Sequence, residues 1–473
     1  MQPEKNCIHF GTDGWRAVIA EGFTFDNVKK VAVALATLLT KKSNHAPRIV
    51  IGYDTRFHSE AFARTAAQAA AASGCNVTLS KTVVSTPAVS AATVSLGADA
   101  GIVISASHNP PHFNGFKIKT HQGASAPEEI TREVERLISS GVVPATRAGM
   151  ITVKDIAPLY FDRLKKAVDI PLIKRSRLTV VIDPLYGAAM GYINSLLKNG
   201  KCKLVNIHDK ADPLFGGLHP EPIEENLPEL ITAVKQNCAS AGLATDGDGD
   251  RIGVVDDKGR YLSPHRVFPL LLYYLCKYKK MSGKVVQTIS LGYVSERIAR
   301  DFGITFEEVP IGFKYIASRI LNEKILIGGE ESGGYGYGNF LPERDGVLNS
   351  LFLMELLAST GSSLSAMLGE IEKKYGTSAF LRTDFVNPGI EKDDFVALIK
   401  KHAPSRIAGL KVKNIKDYDG VEFVLEDDSW LLLRPSGTEP IIRVYCESPG
   451  IAGTRKIINW GQKMVKRIKT GQY

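Results

Sequence analysis

Seven residues, Thr245-Asp246-Gly247-Asp248-Gly249-Asp250-Arg251, place three carboxylates at alternate positions. In an extended segment such carboxylates point to one side. The glycines between them let the backbone fold tightly around an ion. Carboxylate oxygens are hard ligands, so Mg2+ is the natural guest. An EF-hand begins the same way, but it needs Gly at loop position 6 and Glu at position 12, where this chain has Arg251 and Asp257. A plain acidic turn is disfavoured, because like charges so close repel without a cation. Three carboxylates leave an octahedral ion with positions open to water or a phosphate oxygen.

Three further loops have chemistry written into them. In Ile104-Ser105-Ala106-Ser107-His108-Asn109-Pro110, continuing to Asn114-Gly115-Phe116-Lys117, a serine follows an apolar strand (Gly101–Ile104) and is placed as an exposed nucleophile. There is no G-x-S-x-G elbow, which disfavours ester hydrolysis. An Asn-Pro turn with a solvent-exposed serine remains the alternative, and His108 alone reads as a hydrogen-bonded structural histidine before it reads as a catalyst. Gly328-Gly329-Glu330-Glu331-Ser332-Gly333-Gly334 offers two acids and a hydroxyl for the hydroxyls of a sugar; a flexible surface loop fits equally well. Arg434-Pro435-Ser436-Gly437-Thr438-Glu439-Pro440, with Arg443, has the guanidinium fork, hydroxyls and glycine turn of a phosphate cradle, or of a hairpin turn. Gly11-Thr12-Asp13-Gly14-Trp15-Arg16 adds a second guanidinium or a capping turn. No G-x-G-x-x-G or G-x-x-x-x-G-K-[ST] occurs to support dinucleotide or P-loop binding.

The elements that must position these loops alternate between helix and strand. Val28, Val31, Ala32, Leu35, Leu38 and Leu39 form a helical stripe, and Arg48–Tyr53 reads as a buried strand. Ala61–Ser73 is an alanine-rich helix stopped by Gly74, and Ser125 with Glu128 forms a capping box for a helix running to Gly141. Such alternation predicts α/β layers. A weak internal repeat is visible. Ile49–Arg56, Val180–Ala188 and Val285–Ser295 are strands ending in short loops, each followed later by a strand running into a longer loop: Ser105–Lys117, Thr245–Arg251 and Gly328–Gly338. In α/β sheets, loops at strand ends bind ligands. Extended runs at Val421–Leu425, Trp430–Arg434 and Ile441–Cys446, with a terminal helix, predict an α+β last domain. The expected domains are 1–152, 153–258, 259–375 and 376–473.

At 473 residues, three or four domains are expected. A composition of 44% apolar and 23% charged residues excludes disorder. The longest apolar runs, such as Val267–Cys276, are about half of what a membrane span needs. The first ten residues carry no apolar core of a secretory signal. Six cysteines without C-x-x-C spacing suit a reducing cytoplasm better than disulfides or zinc. The net charge of +9 owes much to Arg455, Lys456, Lys463, Lys466, Arg467 and Lys469, opposite an apolar face of Ile457, Gly461, Met464, Val465 and Ile468. That helix reads as a solvated outer face, or as a basic wall beside an anionic ligand. No zinc-finger spacing, RNP aromatics or basic zipper supports a nucleic-acid partner.

Taken together and in this order, the loops resemble the α-D-phosphohexomutase family, in particular its phosphoglucomutase/phosphomannomutase branch, over essentially the whole chain. The resemblance implies three related α/β domains with mixed sheets and a smaller α+β C-terminal domain around a central cleft. It implies an isomerase that moves a phosphoryl group within a hexose phosphate, with glucose 1,6-bisphosphate as intermediate and activator. Ser107 would be the phosphorylated serine, and Asp246, Asp248 and Asp250 would hold Mg2+ together with its phosphoryl oxygen. Glu330 and Ser332 would contact sugar hydroxyls, while Arg434, Ser436, Gly437 and Thr438 would grip the phosphate not being transferred. Lys314 and Arg443 join the expected substrate-binding residues. Arg16, His108, Lys117 and Arg251 match positions around the phosphoserine, with Lys117 and then His108 expected to move the proton. Ser105 stands where many members carry threonine. Gly334 stands where members acting broadly on mannose phosphates, and glucosamine-phosphate mutases, usually carry histidine. With the run Glu308–Tyr315, this favours a glucose phosphate.

Overall fold

The computed structural model describes residues 8–140, 148–387, 389–437 and 440–470. One strand order recurs in three sheets. In the first, Arg48–Tyr53 lies parallel to Asn76–Ser80 on one side and to Ala100–Ile104 on the other, and Phe113–Thr120 returns antiparallel to Ala100–Ile104. Thr179–Asp183, Lys203–Asn206, Ala241–Thr245 and Ile252–Asp256 repeat that arrangement. So do Lys284–Thr288, Phe306–Val309, Ile325–Gly329 and Tyr335–Gly336. In each sheet the long loop joins the third strand to the antiparallel fourth, so the carboxylate loop, the Ser107 loop and the Glu330 loop occupy equivalent places. The first sheet is extended by Trp15–Val18 at one edge and Ile151–Lys154 at the other, so it runs past the boundary expected at 152.

Helix formation follows the apolar stripes. Phe25–Lys42 buries Val28, Val31, Ala32, Leu35 and Leu38, and Thr24 caps it by accepting from the Asn27 N–H at 3.2 Å. It packs on Ser59–Ala72, whose alanines permit a close approach. The expected capping box at Ser125 is not formed. The helix begins at Glu128 and extends to Ser140. Ser125 Oγ instead donates to Asp13 Oδ1 at 3.2 Å and accepts from Lys119 Nζ at 2.9 Å. A buried ammonium needs that oxygen more than an exposed helix end does.

Gly346–Thr360 has no solvated face, because its residues from Gly346 to Leu357 are buried. It packs against Ala241–Thr245 and Ile252–Asp256 of the second sheet and against Pro264–Lys277. One continuous apolar core therefore runs from Val50 through Leu243 to Leu351. The last domain is an antiparallel sheet with a helix, as expected, and includes the unanticipated strand Ala379–Val386. Its core is largely its own, built from residues such as Phe423, Leu431 and Val444 under the helix Ile451–Thr470. A Cβ at Gly461 would lie 2.8 Å from Leu431 Cδ1, so glycine lets this helix settle on the sheet. Arg455, Lys456, Lys463, Lys466 and Arg467 face outward, which is the solvated-face reading.

Cys75, Cys202, Cys238, Cys276 and Cys446 are all free. Among the described residues, no single helix is long and apolar enough to cross a membrane.

Candidate active site

Ser107 is fully buried at the tip of its loop, not exposed as its sequence context implied, and holds φ at +52°. Left-handed backbone costs a non-glycine residue about 1–2 kcal/mol, so neighbouring contacts must enforce it. Arg56 supplies them. Its guanidinium donates to the carbonyl oxygens of Ser107 (2.7 Å), Asn109 (2.5 Å), Pro110 (2.7 Å) and Phe113 (3.0 Å), and pairs with Asp54 at 3.1 Å. The Ser107 N–H donates to Ser105 Oγ at 2.9 Å, and His108 Nδ1 lies 3.4 Å from Ser107 Oγ. Arg16 donates to Asn109 Oδ1 at 2.7 Å from the adjoining edge strand, where it sits opposite Gly115.

The nucleophile and carboxylate loops meet directly. Ser107 Oγ donates to Asp246 Oδ2 at 2.8 Å. A Cβ at residue 247 would lie 2.6 Å from the Ser107 carbonyl oxygen, so the approach requires Gly247. Asp246 Oδ1 accepts from the N–H groups of Asp250 (2.9 Å) and Arg251 (3.0 Å). Asp248 Oδ2 accepts from Lys117 Nζ at 2.7 Å and from Thr86 Oγ1. Lys117 also pairs with Asp13 at 2.8 Å and reaches Asp250 at 3.6 Å. Arg251 donates to Glu221 Oε1 at 3.1 Å.

A divalent cation fits this loop. One oxygen from each of Asp246, Asp248 and Asp250 falls within 4.8 Å of the others. Oδ1 of Asp248 and Oδ1 of Asp250 are buried without a hydrogen-bond partner, as metal-directed acceptors would be. Burial and the charges of Asp250 and Asp248 hold the Asp246 carboxyl well above its ordinary range. Burial also disfavours the charged form of Asp248, but Lys117 and Thr86 overcome it and hold that carboxyl below the usual range. Burial would lower the Lys117 ammonium, yet Asp13, Asp248 and Asp250 raise it above its ordinary value. His108 is pushed well below the usual imidazole range by burial and by Arg251, Arg16 and Lys117, so its ring is neutral at pH 7.

The Glu330–Gly334 loop closes over the far side. Ile252, at the end of the carboxylate loop, donates its N–H to Gly333 O at 3.0 Å. Gly333 has φ of +82°, and a Cβ there would lie 2.5 Å from Ile252 O. Glu330 is buried and pushed up to about 7 by burial, against the opposing charge of Arg344. Ser332 Oγ is buried and unpartnered. Glu331 accepts from Ser290 Oγ at 2.6 Å. Lys314 is exposed, with Nζ over the Tyr315 ring at 5.2 Å.

The fourth loop is a hairpin. Arg434 and Arg443 face each other on adjacent antiparallel strands, and the Ser436 N–H donates to Ile441 O at 2.8 Å. Gly437 follows in a bend, and Thr438 lies outside the described residues. Arg434 Nε donates to Asp419 Oδ2 at 2.9 Å, and the same carboxylate accepts from the Ile311 N–H at 2.8 Å. The Arg434 loop is thereby fastened to the turn that precedes Phe313.

Sequence reasoning overlooked the side chains that join the loops. Arg344 Nη2 donates to Asp13 Oδ2 and Asp250 Oδ2, both at 2.7 Å, and Nη1 donates to Glu330 Oε2 at 3.2 Å. Lys119 pairs with Glu343 in the interior. The only signal was the charged run Glu343-Arg344-Asp345 immediately before an apolar helix, which reads as ordinary capping.

Residues 8–142, 158–259 and 263–375 match the family models for α/β/α domains I, II and III of phosphoglucomutase/phosphomannomutase, and 396–457 match its C-terminal domain. A phosphoglucomutase/phosphomannomutase from Thermococcus kodakarensis is 32% identical over 98% of this chain and 99% of its own length. A phosphoglucosamine/phosphogalactosamine mutase from Sulfurisphaera tokodaii is 28% identical over 97% of this chain and 99% of its own. The crystal structure of a candidate phosphomannomutase from Thermus thermophilus aligns with a TM-score of 0.87 at 32% identity, covering 98% of this chain and 100% of that one.

Proposed function

Because this chain belongs to the phosphoglucomutase/phosphomannomutase family, whose members are intramolecular phosphotransferases, we propose that it interconverts glucose 1-phosphate and glucose 6-phosphate through a phosphoserine at Ser107. The observation that carries this reading is the buried Ser107 hydroxyl bonded to Asp246 of the three-carboxylate loop. When bound by Asp246, Asp248 and Asp250, Mg2+ supplies charge neutralisation at the phosphoryl oxygens.

The chain's own residues do the rest. Phosphoryl transfer breaks the P–O bond to Ser107 Oγ and forms one to the free hydroxyl of the hexose phosphate, giving glucose 1,6-bisphosphate. The bisphosphate turns over in the site, and its other phosphoryl group returns to Ser107. Arg16, Arg251 and Lys117 concentrate positive charge around Ser107. Lys117 already carries Asp13 and Asp248 on its ammonium, so its part is charge. The hydroxyl proton is assigned to the neutral His108, reversing the order that the sequence suggested. Glu330 and Ser332 present acceptors and a hydroxyl to the sugar, and the Arg434 loop takes the distal phosphate.

The glucose preference rests on the bare Gly334 and the Glu308–Tyr315 run. The aminosugar-phosphate mutase relative supports a second reading, the same chemistry on a glucosamine phosphate. Initial rates on glucose, mannose and glucosamine 1-phosphates, with Mg2+ and a trace of the matching bisphosphate, separate them. The highest kcat/KM is expected on glucose 1-phosphate. A tenfold preference for another sugar overturns the glucose assignment but keeps the mutase.

A further inference from the structure

Three acids from three separate loops converge on one arginine. Asp13 comes from the N-terminal loop, Asp250 from the carboxylate loop and Glu330 from the sugar loop, and all three accept from the Arg344 guanidinium. Arg344 is itself fixed from both sides. On one side, Glu343 pairs with buried Lys119. On the other, Asp345 caps the following helix, accepting from the Leu348 N–H at 2.8 Å, and accepts from Tyr160 OH at 2.6 Å. The Gly346 N–H donates to Gly249 O at 3.0 Å, tying the same segment to the carboxylate loop.

The arginine also explains an absence. A Cβ at residue 334 would collide with Arg344 Cδ and come within 2.9 Å of Cγ. The Arg344 side chain therefore fills the space that a side chain at 334 would need, directly beside Glu330. Its Nε is buried and has no hydrogen-bond partner, leaving one donor unused in the same pocket. The charge balance is close. Without this cation, Asp13, Asp250 and Glu330 would share the interior with Lys117, Lys119, Arg16 and Arg251, none of which bonds to all three.

We propose that Arg344 is a positioning residue that locks the sugar-binding carboxylate Glu330 to the metal-binding carboxylate Asp250, and that Gly334 is bare so that Arg344 can do so. The proposal rests on the mutase reading above. It makes the planar fork, rather than charge alone, the requirement, because only a guanidinium donates in three directions from a fixed plane. Arg344→Lys keeps the charge and loses the fork. Gly334→Ala keeps the arginine and displaces it.

The test is steady-state kinetics of the purified full-length enzyme and both variants, with Mg2+ titrated at saturating hexose phosphate and melting temperature recorded alongside. Arg344→Lys is expected to raise the KM for hexose phosphate and the Mg2+ half-saturation together, with kcat/KM falling about 100-fold, the cost of misplacing reacting groups by about 1 Å. Gly334→Ala is expected to shift both quantities in the same direction. The double variant is expected to lose far less than the product of the single losses, because both changes act on one side chain. A variant that is merely less stable would keep the wild-type KM and Mg2+ half-saturation in its folded fraction. That result, or multiplicative losses in the double variant, overturns the proposal. If the unmodified enzyme isomerises no hexose phosphate, it is the mutase reading that fails, and this control separates the two failures.

Discussion

The two ends of the site are held in different ways. At the Ser107 end, the α/β domains share one apolar core beside separate cores of their own, and the Ser107, carboxylate and Glu330 loops touch through backbone contacts that only glycine permits. At the Arg434 end, the last domain has largely its own core. It meets its neighbour partly through apolar packing, with Trp430, Leu432 and Tyr445 joining the shared core and Phe380 stacked on His265, and partly through polar side chains: Asp419 with Ile311, Glu308 with Lys416 and Tyr418, Arg297 with Asp428, and Glu447 with the Tyr293 N–H. Shared apolar cores resist displacement, whereas polar seams between domains shift at small cost. On the proposed mechanism, the chemistry sits at the more tightly packed end, and the polar part of the seam would let the Arg434 loop adjust to a substrate bound in two orientations.

Four substitutions would sharpen or break that contrast, beginning with the largest effect. Ser107→Ala is expected to lower kcat by about 10⁴-fold or more while the fold survives, since the hydroxyl is small and the loop is held by Arg56 through backbone carbonyls. Asp248→Asn is expected to lower kcat by about 10²–10³-fold and raise the Mg2+ half-saturation; an unchanged Mg2+ titration would remove Asp248 from the metal site. Arg434→Met is expected to act chiefly on KM, raising it about 10- to 100-fold for the loss of a charged hydrogen bond. If kcat fell as far as KM rose, the phosphate loop would belong to the rigid end.

The smallest effect lies in the seam. Glu447 accepts from Trp430 Nε1 at 2.7 Å, from the Tyr293 N–H at 3.2 Å and from Ser378, and burial pushes it from 4.5 up to about 7. A raised carboxyl favours the folded state most at low pH. Its contribution, up to about 3 kcal/mol, is present below about pH 4.5 and is lost as pH rises through about 7. Glu447→Gln is expected to flatten the pH dependence of Tm across that window. A slope identical to that of the unmodified protein would show that the seam does not titrate there.

What the sequence could disclose was whatever is local. Arg48–Tyr53 is legible because its residues after Arg48 form an unbroken run without charge, and Asp246–Asp250 because three acids in five residues have few uses. The triple repeat is faint in sequence, since strand order leaves no fixed residue pattern, yet it is plain in the three sheets. Arg344 and Arg56 were invisible because their partners lie far away in the chain: Arg344 meets Asp13, and Arg56 meets carbonyl oxygens, which every residue has. Ser125 was misread because its hydroxyl was claimed by Lys119 and Asp13, which no local pattern reveals. The burial of Ser107 was equally hidden, because it depends on a neighbouring domain's Gly247.

The most direct test of the account is to incubate the protein with Mg2+ and glucose 1,6-bisphosphate, locate any phosphoryl group by peptide mass spectrometry, and then add glucose 1-phosphate. The account predicts one phosphoryl group on Ser107 that disappears as glucose 6-phosphate forms, with no matching release of inorganic phosphate. Isomerisation with Ser107 never phosphorylated, or phosphate released to water in place of glucose 6-phosphate, would contradict it.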